Sequence, residues 1–451
     1  TVGQREVLQV LSAEIGATRP MNRLLQGEVG SGKTIVSVLA MLQMVDAGYQ
    51  CALLAPTEVL AAQHVRSIND VLGPLAMGGQ LGGADNATRV ALLTGSMSQA
   101  QKKLVRAEIT GGEAGIVVGT HALLQDAVEF GQLGMVVVDE QHRFGVEQRD
   151  TLRAKAPAGI TPHLLVMTAT PIPRTVALTV YGDLETSTLR ELPRGRQPIT
   201  TTAVFVKDKP AWLDRAWQRI IEEVAEGRQA YVVAPRIDDS DSADTSDNDE
   251  RPSVTVEELY ARLSRDQLAG LRLGLMHGRL TADDKDAVMA AFRAREIDVL
   301  VCTTVIEVGV DVPNATVMVV MDADRFGISQ LHQLRGRIGR GEHASICLLA
   351  SWVPPQSRAG RRLSAVAGTL DGFELADLDL RERREGDVLG RSQSGRAITL
   401  RLLSLIDHRQ VIEAAREFCE QAYADPDAHA GLALLAAPFT GNERIDFLDK
   451  S

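Results

Sequence analysis

An eight-residue glycine-rich run, GEVGSGKT, at Gly27–Thr34 dictates much of the fold. It fits the pattern GxxxxGK[ST] in full, follows a short apolar run at Arg23–Leu25 and opens a helical pattern at Ile35–Val45. In that setting, glycines let backbone N–H groups curl around phosphate oxygens, and the helix N-terminus adds partial positive charge. The alternative is a plain glycine-rich turn before a helix, which would not require the full pattern. The run therefore predicts a strand, a phosphate-binding loop and a helix.

The residue types in this loop predict a site for ATP and Mg²⁺. The side chain of Lys33 would reach the β- and γ-phosphates, and the hydroxyl of Thr34 would bind Mg²⁺. The loop residues assigned to the nucleotide are Gly27, Gly30, Ser31, Gly32, Lys33 and Thr34.

A second candidate site is the apolar run Met135–Val138, which ends in Asp139 and Glu140. An ordinary strand followed by a charged turn has the same appearance. Beside a phosphate loop, however, Asp139 at the strand tip can hold Mg²⁺, directly or through water, and Glu140 can polarise the attacking water. We predict that Glu140 is catalytic together with Lys33.

Short apolar runs alternate with helical patterns in two series, which predicts parallel sheets covered by helices, with ligands at the strand carboxyl ends. The runs of the first series are Arg23–Leu25, Cys51–Ala55, Ile116–Gly119, Met135–Val138 and Leu164–Met167. Those of the second are Ala230–Ala234, Arg272–Met276, Val299–Cys302, Val317–Met321 and Ser345–Leu349. We predict α/β domains at 1–194 and 195–350, joined near a linker at Arg190–Pro198, and a mainly helical region at 351–451. The acidic segment 238–252 is predicted to be a disordered loop.

Composition limits the remaining possibilities. The four cysteines at positions 51, 302, 347 and 419 lack CxxC spacing, and we interpret them as reduced core residues of a cytoplasmic protein without a membrane segment. The net charge of -11 argues at first against a DNA partner, but in a large motor only the face on the DNA must be positive. Because the chain opens at Thr1 with a helical pattern already beginning at Gln4, we expect that an upstream domain is missing.

Three arginines surround two glycines in the run Gln330–Arg340. Arginines spaced by three fall on one helical face, and a guanidinium fork can stabilise the charge of a γ-phosphoryl group during transfer. The alternatives are a basic surface helix or contacts to DNA phosphates. We predict that Arg337 and Arg340 are arginine fingers, with Gln333 as a supporting contact.

Together, these motifs resemble helicase superfamily 2 over nearly the whole chain. Further segments that carry the resemblance are Gly3–Arg5, Ala55–Leu60, Gly119–Leu124, Asp139–His142, Thr168–Thr170, Met276–Arg279 and Val301–Pro313. The resemblance implies an α/β protein with two tandem RecA-like parallel-sheet domains and ATP in the cleft between them. One chain would supply both halves of the ATP site, so we expect a monomer.

The same resemblance assigns roles to single residues. Those expected near the nucleotide are Gln4, which would read the adenine, and Gly309 and Asp311. Those expected to contact DNA or to couple hydrolysis to movement are Thr57, Thr120, His142, Thr168, Thr170, Thr303 and Thr304.

Within the superfamily, the sequence is most similar to the RecG family. The similar segments are Pro20–Gln26, Met167–Thr175, Tyr181–Leu184 and Arg190–Pro193. The stretch from Asp371 to Gly395 resembles a translocation motif, in which Arg383 and Gln393 would act on DNA. Where the family has Arg-Gly-Pro-Gly, this chain has Arg383-Arg384-Glu385-Gly386, so its Gly-Pro pair is lost.

Membership of that family would imply an ATP-dependent 3'-5' DNA helicase. Its partners would be branched or duplex DNA, such as Holliday junctions and stalled forks, in the bacterial cytoplasm and nucleoid, and an N-terminal wedge domain would be missing from this chain. Two alternatives stay open. The first is a translocase of the transcription-repair coupling type, and the second is a switch that binds ATP and DNA without processive turnover.

Overall fold

The structure is a computed structural model that describes residues 1–28, 30–139, 151–157, 159–169, 172, 184–191, 199–235, 255–303, 312–382 and 408–424. The chain folds into two compact units. Unit 1 comprises Thr1–Glu191 with Leu380–Ser451, and unit 2 comprises Leu192–Asp379. The domain boundaries expected from the sequence, at 194/195 and 350/351, stay a prediction.

Unit 1 contains a seven-stranded sheet in the order β3-β4-β2-β5-β6-β1-β7. All its recorded pairings are parallel. The strands are β1 Asn22–Gly27, β2 Gln50–Leu54, β3 Arg89–Leu93, β4 Ala114–Gly119, β5 Leu133–Val138, β6 His163–Thr168 and β7 Glu185–Leu189. Parallel pairing requires a crossover between strands, and in unit 1 α-helices lie between β1 and β2, between β2 and β3, and between β3 and β4.

Unit 2 contains a six-stranded parallel sheet in the order β10-β11-β9-β12-β13-β8. The strands are β8 Ile199–Phe205, β9 Gln229–Val233, β10 Leu273–Met276, β11 Val299–Cys302, β12 Ala315–Val320 and β13 Ser345–Ser351. Buried side chains line both faces of this sheet, with Phe292 in the cluster on one face and Trp217 in that on the other.

The helices cover the sheets and fill the described part of the C-terminal region. They are α1 Val2–Ile15, α2 Lys33–Asp46, α3 Glu58–Leu72, α4 Gln99–Thr110, α5 Ala211–Ala225, α6 Val256–Arg265, α7 Ala282–Arg293, α8 Ile328–Arg335, α9 Arg358–Gly368, α10 Gly372–Glu382 and α11 Arg409–Ala424. Beyond β13, the described residues form helices α9 to α11, in agreement with the predicted mainly helical region. Among the helices of the described ranges, none combines the length and apolar character that crossing a membrane requires.

The predicted fold class is confirmed, but two details were wrong. All ten predicted strands are present within two residues of their expected ends, whereas β3, β7 and β8 were not predicted. The cysteine interpretation fails at one position. Cys51, Cys302 and Cys347 are buried, and Cys419 on α11 is exposed. Burial raises the pKa of the Cys347 thiol to about 12, partly offset by the charge of Arg335.

Candidate nucleotide and DNA site

The predicted phosphate loop connects β1 to α2, and its glycines are required by the backbone path. Gly30 and Gly32 have φ angles of +86° and +87°, in the left-handed region that other residues rarely adopt. Gly27 is needed for a different reason. A Cβ there would stand 2.7 Å from the hydroxyl of Ser31 and 2.8 Å from the carbonyl oxygen of Leu189.

The N-terminus of α2 differs from those of several other helices in the described ranges. Its N-cap is Gly32, which makes no side-chain cap hydrogen bond. By contrast, helices α3, α4, α6, α7 and α9 are capped by the hydroxyls of Thr57, Ser98, Thr255, Thr281 and Ser357. No capping side chain therefore stands between an anion and the positive end of the α2 dipole.

The ammonium group of Lys33 lies within the curl of the loop. Its Nζ donates to the carbonyl oxygens of Gly27, at 2.7 Å, and Glu28, at 3.0 Å. The ammonium is therefore held by the same loop that leads into the N-terminus of α2. The loop can thus present both neutral and charged donors to a phosphate.

Gln4 on α1, which the sequence predicts to read the adenine, lies against the loop. Its Nε2 donates to the carbonyl oxygen of Ser31 at 2.9 Å. A Cβ on Gly32 would come within 2.1 Å of the same nitrogen. The hydroxyl of Thr1 caps α1 at the backbone N–H of Gln4, which fixes the first turn of the helix beside the loop.

The carboxyl edge of the unit 1 sheet collects most of the candidate residues of that unit. Thr57, Thr120 and Asp139 follow β2, β4 and β5, and Thr168 is the last residue of β6. The loops are tied to one another through the backbone, since the N–H of Asp139 donates to Leu54 at 2.9 Å. Parallel strands bring these positions to one edge, which is where α/β proteins bind ligands.

Asp139 and Thr34 have the donor chemistry that Mg²⁺ requires. Both supply oxygen ligands, and both side chains are half-buried rather than sealed in the core. Mg²⁺ is usually held by one or two carboxylates with substrate phosphates and water. Within the described ranges there is no group of three His, Cys, Asp or Glu side chains that could hold a metal ion.

The candidate DNA-contacting threonines differ in exposure. Thr57 is half-buried, and its hydroxyl accepts the N–H of Leu60 at 3.3 Å as the cap of α3. Thr120, Thr168 and Thr303 are buried, Thr168 to 2% exposure. The N–H of Thr303 donates to Met276 at 3.2 Å, which holds the residue at the carboxyl edge of the unit 2 sheet.

The arginine run in unit 2 corrects one expectation. Arg337 and Arg340 do not share a helical face, because α8 ends at Arg335 and is followed by Gly336 as its C-cap. Gly339, with a φ of +70°, continues the departure from helical geometry. The Nε of Arg340 donates back to the carbonyl oxygen of Gly336 at 3.1 Å, which stabilises the turn.

Arg335 has a structural role that the run of arginines did not reveal. It is buried, and its Nη1 donates to the carbonyl oxygens of Val366, at 2.9 Å, and Thr369, at 2.7 Å. Its Nη2 lies 2.8 Å from Nδ1 of His332. Arg335 therefore ties α8 to the end of α9, while Gln333 in the same helix is half-buried.

Eight predicted site residues lie outside the described residues. They are Glu140, His142, Thr170, Thr304, Gly309, Asp311, Arg383 and Gln393.

Three further features at the unit 1 edge were missed by the sequence reasoning. His64 lies 2.7 Å from Asp139, and Gln26 contacts the segment after β6. The loop Thr94–Ser98 follows β3, and the backbone N–H of Ser96 donates to Glu58 at 2.9 Å. A hydroxyl-rich turn after an apolar run was a usable signal for this loop, but β3 itself had not been recognised.

Comparison with known families gives two matches. The family described as DEAD/DEAH box helicase matches residues 1–179, and the family described as Helicase conserved C-terminal domain matches residues 213–342.

The chain is also similar to curated proteins named ATP-dependent DNA helicase RecG. The protein of Mycobacterium tuberculosis (strain ATCC 25618 / H37Rv) is 79% identical over 100% of this chain and 61% of its own length. That of Synechocystis sp. is 45% identical over 95% of this chain and 48% of its own length. The chain thus spans about three fifths of the length of the mycobacterial relative and about half that of the Synechocystis relative.

Solved structures show the same arrangement of elements. A structure of RecG bound to a three-way DNA junction is 37% identical, has a TM-score of 0.70, and matches 92% of this chain and 50% of that one. Dbp5 of S. cerevisiae bound to RNA and ADP BeF3 is 18% identical with a TM-score of 0.56, over 84% of this chain and 91% of that one. The second likeness concerns the fold alone.

Proposed function

Since the chain belongs to the RecG family of superfamily 2 DNA helicases, we propose that it is a motor that hydrolyses ATP, with Mg²⁺, to move along duplex DNA. Its work would be branch migration of Holliday junctions and reversal of stalled replication forks. The names of its relatives support ATP dependence and a DNA substrate, and the relative solved with a three-way junction supports branched DNA.

The observation that carries the proposal is the uncapped N-terminus of α2 at the phosphate loop. Gly32 places no capping side chain over the first turn, and Lys33 holds its ammonium beside the carbonyls of the same loop. Gln4 lies against that loop, and Asp139 lies at the same sheet edge. A phosphate anion with a coordinated cation is the ligand that fits such donors.

The proposed chemistry divides among few residues. Lys33 and the N–H groups of α2 bind and orient the phosphates, while Thr34 and Asp139 would hold Mg²⁺, which neutralises charge on the transferred phosphoryl group. We propose Glu140 as the group that orients and deprotonates the attacking water. We also propose that Arg337 and Arg340, with Gln333, contribute to hydrolysis.

The remaining assignments are proposals from family resemblance. Those for the nucleotide are Gln4, Gly309 and Asp311. Those for DNA contact or coupling are Thr57, Thr120, His142, Thr168, Thr170, Thr303, Thr304, Arg383 and Gln393. We further propose that the protein acts as a monomer, because one chain carries both sets of motifs. From the family resemblance we also propose 3'-5' polarity and a location in the bacterial cytoplasm.

The test is ATP hydrolysis with and without branched duplex DNA. We expect DNA to stimulate turnover, and we expect Lys33→Ala and Arg340→Ala each to abolish the stimulated rate. Matched controls are Lys207→Ala and Arg293→Ala, since both side chains are exposed and neither belongs to a proposed site. Turnover that survives Lys33→Ala would remove the phosphate-loop assignment.

Two other outcomes identify different functions. Binding of ATP and DNA without turnover would indicate a switch rather than a motor. Removal of a stalled RNA polymerase from DNA, without migration of a synthetic Holliday junction, would indicate the transcription-repair coupling type.

A further inference from the structure

His64 occupies a core position where an aliphatic side chain would be expected. It lies in α3, whose other buried residues include Leu60, Ile68 and Leu72. Spacing of four along a helix places these residues on one face. The His64 residue is 8% exposed, and a polar group in such a stripe is costly unless it is hydrogen-bonded. The imidazole therefore needs a partner inside the protein.

That partner is Asp139, the carboxylate proposed as a Mg²⁺ ligand. The Nε2 of His64 lies 2.7 Å from Oδ2 of Asp139. The two side chains are only 10% and 14% exposed, respectively. An ionised carboxylate only accepts hydrogen bonds, so the imidazole Nε2–H is the donor. One oxygen of the aspartate is thereby fixed from a helix outside the phosphate loop.

The backbone of Asp139 is held as well. Its N–H donates to Leu54, the last residue of β2, and α3 begins at Glu58, four residues later in the chain. The strand end and the helix therefore bind Asp139 from two sides, one through the backbone and one through the side chain. A carboxylate with both its backbone and one oxygen fixed has little freedom to rotate away from a cation.

We infer that His64 is a positioning residue that orients the carboxylate of Asp139 for the metal ion of the ATP site. The inference rests on the proposed function, because it requires that Asp139 bind the cation. Hydrogen-bond partners behind a metal ligand typically contribute about 10- to 100-fold in metal affinity. His64 itself contacts neither nucleotide nor DNA in this role, and it is not a proton carrier.

The decisive comparison is between His64→Gln and His64→Asn. The amide nitrogen of glutamine can replace Nε2, whereas that of asparagine replaces Nδ1 and falls short of Asp139. Both variants retain a polar amide, so a difference between them reports reach rather than polarity. The exposed Ser67 on the same helix provides a control, Ser67→Asn.

The measurement is the Mn²⁺ affinity of the 451-residue protein with bound ADP, determined by electron paramagnetic resonance. We expect His64→Asn to weaken Mn²⁺ binding about 10-fold or more. His64→Gln and Ser67→Asn should stay close to wild type. Binding of a fluorescent ADP analogue in EDTA should be unchanged in all three. Circular dichroism shows whether each variant is folded.

Asp139→Asn distinguishes a failure of the positioning role of His64 from a failure of the metal site itself. If it weakens Mn²⁺ binding while His64→Asn does not, the positioning role is wrong and the metal site stands. If Asp139→Asn also leaves Mn²⁺ binding unchanged, the metal site is wrong and the role of His64 fails with it. Equal losses in His64→Gln and His64→Asn would likewise overturn the inference, since reach would then not matter.

Discussion

Gln26 connects three pieces of the unit 1 edge through one buried amide. It is 3% exposed and precedes the first glycine of the phosphate loop. Its Nε2 donates to the hydroxyl of Thr188 at 3.1 Å, and its Oε1 accepts the backbone N–H of Ile172 at 3.0 Å. Ile172 follows the Thr-Ala-Thr segment that the family resemblance assigns to coupling. A single side chain thus links the end of the strand that leads to the phosphates with Ile172, just beyond that segment.

Replacing Gln26 by methionine keeps the volume and removes both hydrogen bonds. We expect Gln26→Met to lower the free energy of unfolding by about 1–3 kcal/mol, because the half-buried N–H of Ile172 loses its acceptor and the hydroxyl of Thr188 loses its donor. Urea denaturation measures this loss. The control is Gln43→Met, since Gln43 makes only a 3.4 Å contact near the surface and should change stability by less than about 0.5 kcal/mol. Equal stabilities for the two variants would contradict this role of Gln26.

His163 makes the stability of unit 1 depend on pH, and the direction of that dependence follows from the shift of its pKa. Burial lowers the pKa of its imidazole, the charge of Glu14 partly opposes this, and Arg153 adds to the lowering. Its Nδ1 accepts the N–H of Met21 at 3.0 Å, which only the neutral ring can do. Because the folded pKa lies below the unfolded value of about 6.5, the unfolded chain binds the proton first. Stability is therefore complete above that value and declines as pH falls through the folded pKa.

The prediction from His163 is a difference in Tm between pH 7.5 and pH 5.5. Asparagine can accept the same N–H with its side-chain oxygen and does not titrate. We expect the Tm of His163→Asn to fall less than that of wild type over this interval, as measured by differential scanning fluorimetry. A larger fall in the variant would show that the sign is wrong.

In unit 1 the side chain of Gln50 forms hydrogen bonds across the turn between α4 and β4, an arrangement that we call a glutamine clamp. Gln50 is the first residue of β2, and its Nε2 donates to Ile109 at the end of α4, at 2.9 Å, and to Ala114 at the start of β4, at 2.8 Å. Its Oε1 accepts the N–H of Gln132 at 3.0 Å. The buried amide thereby satisfies three backbone groups where the helix ends and the neighbouring strands begin.

The same clamp recurs in unit 2. Gln229 is the first residue of β9, and its Nε2 donates to Phe292 at the end of α7, at 2.6 Å, and to Ile297 just before β11, at 2.7 Å. Its Oε1 accepts the amide of Asn314 at 3.0 Å. Both glutamines stand two residues after a positive-φ glycine, Gly48 or Gly227. The recurrence is a property of the helix–turn–strand element rather than of either unit.

The two clamps serve as controls for each other. Gln50→Met should accelerate amide hydrogen exchange at 110–116 and leave 293–299 unchanged, and Gln229→Met should do the reverse. The expected cost is about 1–3 kcal/mol of local stability, because the carbonyls lose their donors. Mass spectrometry after exchange resolves the two regions. Unchanged exchange at 110–116 in Gln50→Met would show that the clamp does not hold the turn.

All predicted strands except β10 lie in the interior of a sheet. The interior strand β5 is buried at all six residues, so it appears in the sequence as an apolar run. The missed strands β3, β7 and β8 are all at sheet edges. In β7 the sequence is Glu-Thr-Ser-Thr-Leu, and β8 contains three consecutive threonines. Edge strands are covered less completely, so polar β-branched residues can form β7 and β8 without an apolar signal. This reason does not apply to β3, whose sequence Arg-Val-Ala-Leu-Leu is apolar.

Parts of the candidate site were predictable for a related reason. The phosphate loop depends on residues adjacent in sequence, so its glycines and Lys33 could be named directly. The contact between His64 and Asp139 joins residues 75 positions apart, and nothing local in α3 announces it. For Arg337 and Arg340 the spacing was misleading, and Gly336 was the overlooked signal that the helix ends.

The whole molecule contains two versions of one sheet. The order β3-β4-β2-β5-β6-β1 in unit 1 corresponds to β10-β11-β9-β12-β13-β8 in unit 2. Strand β7, which extends the unit 1 sheet beyond β1, has no counterpart among the described residues of unit 2. The sequence revealed the repeated pattern of elements but not this correspondence. The shared helix–Gly–x–Gln–strand–Ala–Pro arrangement at residues 33–56 and 211–235 was present in it. Such a short repeat becomes recognisable once the matching strands are known.

The overall acidity of the chain and its proposed DNA partner can be reconciled by the range of electrostatic forces. The net charge is -11, yet at physiological salt the Debye length is about 8 Å. Charges on distant faces are then screened, and only cationic side chains in contact with DNA phosphates contribute to the affinity. We therefore expect DNA affinity to fall with salt, with a slope of about -3 or steeper in log Kobs against log salt, since each neutralised phosphate contributes about -0.9.

Fluorescence anisotropy with duplex DNA and a non-hydrolysable ATP analogue, between about 50 and 200 mM salt, measures that slope. The control is the triple variant Asp46→Asn, Asp70→Asn and Glu296→Gln, whose exposed acids lie toward the C-terminal ends of α2 and α3 or just beyond α7. Helices in these units run opposite to the strands, so those positions lie away from the carboxyl edges. Removing three negative charges, from -11 to -8, should leave affinity at about 150 mM within about twofold and the slope unchanged, because screened charges do not reach the DNA. A marked rise in affinity would mean that net charge, rather than local contact, governs binding.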